Sequence, residues 1–105
     1  MAKKTSKPRV MVKGTGTIGE PLVHLFAEQR KEIGIDEVLF HKRSPLKNEV
    51  GKVKAMQATG AQLIVDRDKA DKFIGLGLIP QGYKEDGLRA SDVVIDCTPA
   101  GNENK

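Results

Sequence analysis

Arg9-Val10-Met11-Val12-Lys13-Gly14-Thr15-Gly16-Thr17-Ile18-Gly19 is a short apolar run that breaks into G-x-G-x-x-G and then opens a helix. Val10-Met11-Val12 has the unbroken apolar character of a strand buried on both faces. Residues 18 to 33 carry a helical stripe, so the glycines fall at a strand-to-helix junction. There the three glycines do different things. Gly14 allows the tight turn, Gly16 lets the backbone come into contact with a pyrophosphate, and Gly19 lets the helix pack closely on the sheet. The amides at the helix start then face an anion with the helix dipole behind them. The spacing alone also occurs in plain β–α turns. Its position at this junction favours a dinucleotide site.

The composition is compatible with one soluble domain. At 105 residues the chain can bury roughly 60% of its unfolded surface or somewhat more. A single cysteine excludes an intramolecular disulfide and gives no sign of an oxidising compartment. The start, Met-Ala-Lys-Lys-Thr-Ser-Lys-Pro, is basic, but no apolar run of signal-peptide length or of the roughly 20 residues of a membrane span follows it. A cytoplasmic protein with no membrane association is expected. Lys+Arg number 18 against 14 Asp+Glu, a formal charge of +4, and three of the lysines (Lys3, Lys4, Lys7) lie in the first eight residues. Residues 1–8 are therefore expected to be a flexible basic tail and 9–105 the folded domain. With only Phe26, Phe40, Phe73 and Tyr83 as aromatics and no basic stripe among them, nucleic-acid binding is not expected.

Taken in order, the pattern predicts a helix over about 18–32. Ile18, Leu22, Leu25 and Phe26 form its apolar stripe, Pro21 lies in the first turn, and Gly34 is the stop. His24 reads as a surface or boundary residue. Glu37-Val38-Leu39-Phe40-His41 is the second strand, and it delivers His41-Lys42-Arg43-Ser44-Pro45 at its carboxyl end. In a dinucleotide fold this place, about 20 residues or more beyond the glycines, normally holds an acid that bonds the ribose 2′-hydroxyl. Here Lys42, Arg43 and Ser44 stand instead, which suits a 2′-phosphate and points to NADP before NAD; the alternative is a solvated basic loop.

Next come a short helix over 48–58, a strand over 62–65, and a helix over 67–76 with Ala70, Phe73 and Ile74 inward. Residues 79–83 form a short strand or bend, with Tyr83 capping the core edge, and 86–90 make at most one helical turn. Val93-Val94-Ile95 reads as another buried parallel strand, leading through Asp96-Cys97 into the turn Thr98-Pro99-Ala100-Gly101 on the same sheet edge as the glycines. The sum is an α/β, Rossmann-like, doubly wound and mainly parallel sheet in the order 3-2-1-4, with helices on both faces. No phosphate loop of the G-x-x-x-x-G-K-[ST] kind, no Cys/His metal cluster and no G-x-S-x-G elbow occurs in the sequence. Cys97 has no histidine near it in sequence and reads as a small buried residue at a strand end.

Gly14-Thr15-Gly16-Thr17-Ile18-Gly19 paired with Asp96-Cys97-Thr98-Pro99, with Lys42 and Pro45 between them, resembles the amino-terminal cofactor-binding part of the archaeal-type (type II) glyceraldehyde-3-phosphate dehydrogenases. The resemblance implies NADP or NAD as cofactor, a glycolytic oxidoreductase and a homo-oligomer. It places Thr17 and Ile18 against the pyrophosphate turn, Lys42 near the adenine ribose, and Thr98, with Pro99, beside the ribose on the nicotinamide side. Two positions depart from the family: Lys13 stands for the usual Asn, and Glu20 for a basic residue. The family's nucleophilic cysteine and its histidine belong to a part that these 105 residues do not contain. No catalytic residue is therefore assigned, and the chain by itself is expected to be inactive. It would be the NAD(P)-binding domain of a truncated or split enzyme whose catalytic half lies elsewhere or in a second chain. The alternative is a free-standing NADP(H)-binding or protein-interaction module.

Overall fold

Apolar runs without polar alternation can be satisfied only where both sides of a strand are covered, and in this chain they align side by side. The computed structural model describes residues 7–16 and 18–97. Its strands are β1 (Arg9–Lys13), β2 (Glu37–His41), β3 (Gln62–Val65), β4 (Gly82–Tyr83) and β5 (Val93–Asp96). All pairings are parallel, in the order β4-β3-β2-β1-β5. The expected 3-2-1-4 core is present, and the 79–83 region adds β4 as a further edge strand beside β3.

The helices are α1 (Gly19–Glu28), α2 (Arg30–Ile33), α3 (Val50–Ala58), α4 (Ala70–Gly75) and α5 (Lys84–Ala90). One face of the sheet, including Val12, Phe40 and Leu63, packs on Val23 of α1, Met56 of α3 and Phe73 of α4 in the main core. The other face offers Met11, Leu39 and Ile64. There α5 lies close through Gly87, where an added Cβ would stand 3.2 Å from Ile64 Cγ2 and 3.5 Å from Met11 Sδ. From β1 the chain steps outward through β2, β3 and β4, then crosses by α5 to β5 on the opposite side of β1. The strand order thus reverses between β1 and β5, the place where open α/β sheets hold ligands.

Five local expectations need correction. The helix stripe is rotated: Gly19, Val23 and Ala27 are the buried positions of α1, whereas Ile18 and Leu25 are 65% and 50% exposed. The cause lies at Gly19, where a Cβ would fall 1.7 Å from the carbonyl oxygen of Gly14. That contact fixes which side of the helix meets the sheet, and positions 19, 23 and 27 follow at one-turn spacing. Ile74 also faces solvent, at 53% exposure. Val93 and Val94 are exposed rather than buried, on a strand that is at the sheet edge among the described residues. The single turn expected at 86–90 is a seven-residue helix that starts at Lys84.

Elsewhere the local signals match the structure. Gly34 ends α2 with φ +89°, a conformation that costs glycine nothing. The fifth correction is to the predicted 18–32 helix, which divides at Gln29, where φ −103° and ψ 21° interrupt it.

The Gly19 contact gives a direct test. Gly19→Ala should cost about 2–4 kcal/mol or more, the range of severe backbone overpacking. Gly16→Ala, whose Cβ would meet nothing within 4 Å, should change stability by no more than about 1 kcal/mol. Urea denaturation of the two variants would decide it; equal losses would mean that the turn tolerates a side chain at Gly19.

Candidate functional site

Three segments converge on the carboxyl edge of the sheet: the Gly14–Gly19 turn, the Lys42–Ser44 loop, and Cys97 at the end of β5. Lys13 is in register with His41 on one side and with Asp96 on the other, which sets these segments beside one another. Gly14 turns the chain at φ +89°, and its amide donates to the His41 carbonyl at 3.4 Å. The Glu20 amide donates to the Gly16 carbonyl at 3.1 Å, beginning α1 directly from the turn. Thr15 is buried. Gly16 is exposed, with open space where its side chain would be. Ile18 projects outward. Thr17, Thr98 and Pro99 lie outside the described residues.

Cys97 closes the other flank. Its amide donates to the Lys13 carbonyl at 2.8 Å, and its Cβ stands 3.4 Å from where a Gly19 Cβ would be. Burial, and secondarily Asp96, pushes its thiol pKa up, away from the thiolate that a nucleophile needs.

The loop after β2 is built differently from its sequence reading. Lys42 is 8% exposed; its amide donates to the Ile64 carbonyl at 3.0 Å, and its ammonium donates to Glu49. Glu49 also faces Lys52 at 3.7 Å, and Lys52 faces Glu20 at 3.8 Å. Lys42, Glu49, Lys52 and Glu20 thus form a chain of alternating charge from the end of β2, across the start of α3, to the first turn of α1. The Lys42 hydrogen bond, aided by the Lys42 and Lys52 charges, holds the Glu49 carboxyl below its usual range. Arg43 is exposed, and its carbonyl accepts the Lys69 ammonium at 3.4 Å. Ser44 is half-buried, its carbonyl accepting the Leu46 amide at 3.0 Å.

The sequence reading missed Glu49, Lys52 and Lys69 as neighbours of this loop. A signal for the first was present: a lysine at the end of a buried strand needs a counter-charge, and Glu49 is the first acid after Lys42.

On the other face of the sheet His41, also buried, places Nε2 3.1 Å from Asp66 Oδ1. Burial pushes its pKa below the ordinary histidine value, with Lys84 and Lys13 acting the same way and Asp66 opposing. His24 lies 3.8 Å from Glu28 on the side of α1. Arg67 stacks on Tyr83 at 4.1 Å. Among the described residues, no group of three or more His, Cys, Asp or Glu is placed to hold a metal, and no helix is long and apolar enough to cross a membrane.

The chain is 33% identical over 101 residues to a glyceraldehyde-3-phosphate dehydrogenase of Pyrobaculum islandicum. It is 35% identical over 99 residues to that of Pyrobaculum arsenaticum. Each alignment covers 92% of this chain and 27% of the relative. The chain is related to glyceraldehyde-3-phosphate dehydrogenases. It spans about a quarter of the length of these relatives, and no family model matches it.

The buried histidine predicts an acid sensitivity. The folded state favours neutral His41, so as pH falls through about 6.5 the unfolded chain takes up a proton that the folded chain resists. Stability should therefore drop between about pH 7 and pH 5, by at most ~1.4 kcal/mol per pH unit from this one group. Thermal melts across that range should show a shallower slope for His41→Gln; identical slopes would remove His41 from the account.

Proposed function

We propose that the chain is the amino-terminal NAD(P)-binding domain of a glyceraldehyde-3-phosphate dehydrogenase-like oxidoreductase of the archaeal type. The observation that carries this reading is the open Gly16 position on a strand-to-helix turn at the sheet's switch point, in a chain related to that family. The residues present suit a dinucleotide. Gly14 would make the turn that presents the site, Gly16, Thr17, Ile18 and Gly19 would hold the pyrophosphate through backbone amides, and the exposure of Ile18 leaves its side chain free to cover the ligand. Glu20 puts a negative charge in that first turn, and Lys52, 3.8 Å away, offsets it. Lys42, Arg43 and Ser44 would meet the adenine ribose and its 2′-phosphate, with Lys69 adding a cation at the same loop. Thr98 and Pro99 would lie by the ribose on the nicotinamide side.

A bound nicotinamide supplies the hydride acceptor or donor. This chain's own part is to bind and orient it, while the cysteine and base that act on the aldehyde belong to a catalytic part beyond these 105 residues, in the same protein or a second chain. We assign the protein to the cytoplasm and to homo-oligomeric assembly on the same family grounds.

A free-standing binding or protein-interaction module is the second reading, and the exposed Val93 and Val94 on β5 favour it. Reconstitution decides between them. The dehydrogenase reading expects phosphate-dependent oxidation of glyceraldehyde 3-phosphate once a cysteine-bearing catalytic half is supplied, and none from the chain alone.

Binding itself is tested by calorimetric titration with NADPH and NADH. Both should bind, NADPH more tightly by about tenfold, the equivalent of one charge-assisted hydrogen bond of ~1.4 kcal/mol. Gly16→Ala should weaken both by about tenfold or more while the fold persists, because its methyl would occupy the ground that the pyrophosphate needs. Lys42→Ala with Arg43→Ala should erase most of the NADPH advantage and leave NADH nearly unchanged. If Gly16→Ala binds as well as the wild type, the ligand does not lie on this turn.

A further inference from the structure

Lys42 is the cation of the loop that is best shielded from water, and its ammonium already donates to a carboxylate. That carboxylate, Glu49, lies in the 3-10 turn Lys47–Glu49 that leads into α3. It faces two ammonium groups at once, Lys42 and Lys52. The two ammonium groups that hold this carboxylate at the end of β2, beside the glycine turn, have the charge and the donors that a ribose 2′-phosphate would seek.

We infer that Glu49 is a specificity-determining residue of this site: it occupies Lys42 in place of a 2′-phosphate, and so selects against phosphorylated dinucleotides. The inference rests on the dinucleotide reading above. An unphosphorylated ribose leaves the Lys42–Glu49 pair as it is. A 2′-phosphate must either displace Glu49 from Lys42 or lie beside a carboxylate of its own sign, and both weaken its binding. Glu49 therefore keeps any preference for NADP small.

Glu20 supplies the internal comparison. It belongs to the same chain of charges but lies in the first turn of α1, next to the part that both cofactors share. Removing the Glu20 charge should strengthen NADH and NADPH together. Removing the Glu49 charge should strengthen NADPH alone.

The experiment is calorimetric titration of the 105-residue chain and its Glu49→Gln, Glu49→Asp and Glu20→Gln variants with NADH and with NADPH, alongside thermal melts with and without each cofactor. Glu49→Gln should bind NADPH about tenfold more tightly and NADH within about twofold of wild type. Its melting point without cofactor should fall, because Lys42 loses its partner in a buried position, and NADPH should raise it further than in wild type. Glu49→Asp, with its shorter reach to Lys42, gives a smaller shift in the same direction and serves if the Gln variant does not fold. An unchanged NADPH-to-NADH ratio in both Glu49 variants, or equal gains for the two cofactors, would overturn the inference while leaving the dinucleotide reading in place. Failure of every form to bind either cofactor would overturn the dinucleotide reading, and this inference with it.

Discussion

The approach of the first turn of α1 to the carbonyl of Gly14 is the constraint on which the rest of the molecule depends. With a built Cβ only 1.7 Å from that oxygen, no side chain can stand at Gly19, so the helix backbone rests directly on the strand end. Three consequences follow from one contact. It sets the rotation of α1, turning Gly19, Val23 and Ala27 to the sheet. It brings the helix start within reach of Cys97, so that the ends of β1 and β5 and the beginning of α1 form a single knot. And it leaves the turn between them, around Gly16, standing open at the edge. Close packing at Gly19 and open ground at Gly16 are two results of the same geometry.

The asymmetry of the two sheet faces has a similar origin. Three helices, α1, α3 and α4, pack on the face that carries Phe40 and Leu63. Among the described residues the opposite face has only the short α5, whose approach depends on another glycine, Gly87. It encloses a small apolar cluster of Met11, Leu39 and Ile64, and His41 with Asp66 continues it toward the carboxyl edge. Burying a histidine there is tolerable because Asp66 gives Nε2 a partner, although desolvation outweighs that partner in setting its protonation.

Much of this was legible in the sequence, for reasons that can be named. Val10–Val12, Val38–Phe40 and Leu63–Val65 are unbroken apolar runs bounded by polar or charged residues, and such runs become central parallel strands. Val93-Val94-Ile95 has the same composition, yet β5 is an edge strand among the described residues with two exposed valines. Composition records the capacity of a strand to be covered, and its neighbours decide whether it is. The rotation of α1 was illegible for a related reason. Leu22, Leu25 and Phe26 outweigh Gly19 and Ala27 in hydrophobicity, whereas a backbone contact that excludes a side chain appears in the sequence only as a glycine. In the loop after β2 the residue types were legible and their partners were not, since Glu49 reaches Lys42 through the fold of the 47–49 turn.

That hidden partner changes what a basic loop means. A lysine exposed to water presents its charge to any ligand, and salt screens it. A lysine enclosed at a strand end cannot stay unpaired, because desolvating an ammonium without a counter-charge costs more than the fold can easily supply. The protein therefore provides the counter-charge itself, and Glu49 does so while being shared with Lys52, which in turn is shared with Glu20. The four charges sum to zero. Counted from sequence, Lys42 adds to a cationic site. In the folded chain it belongs to a neutral network that ties α3 and α1 to the end of β2. Whatever anion the loop receives must compete with that network, so stability and ligand selection at this edge draw on the same ammonium group.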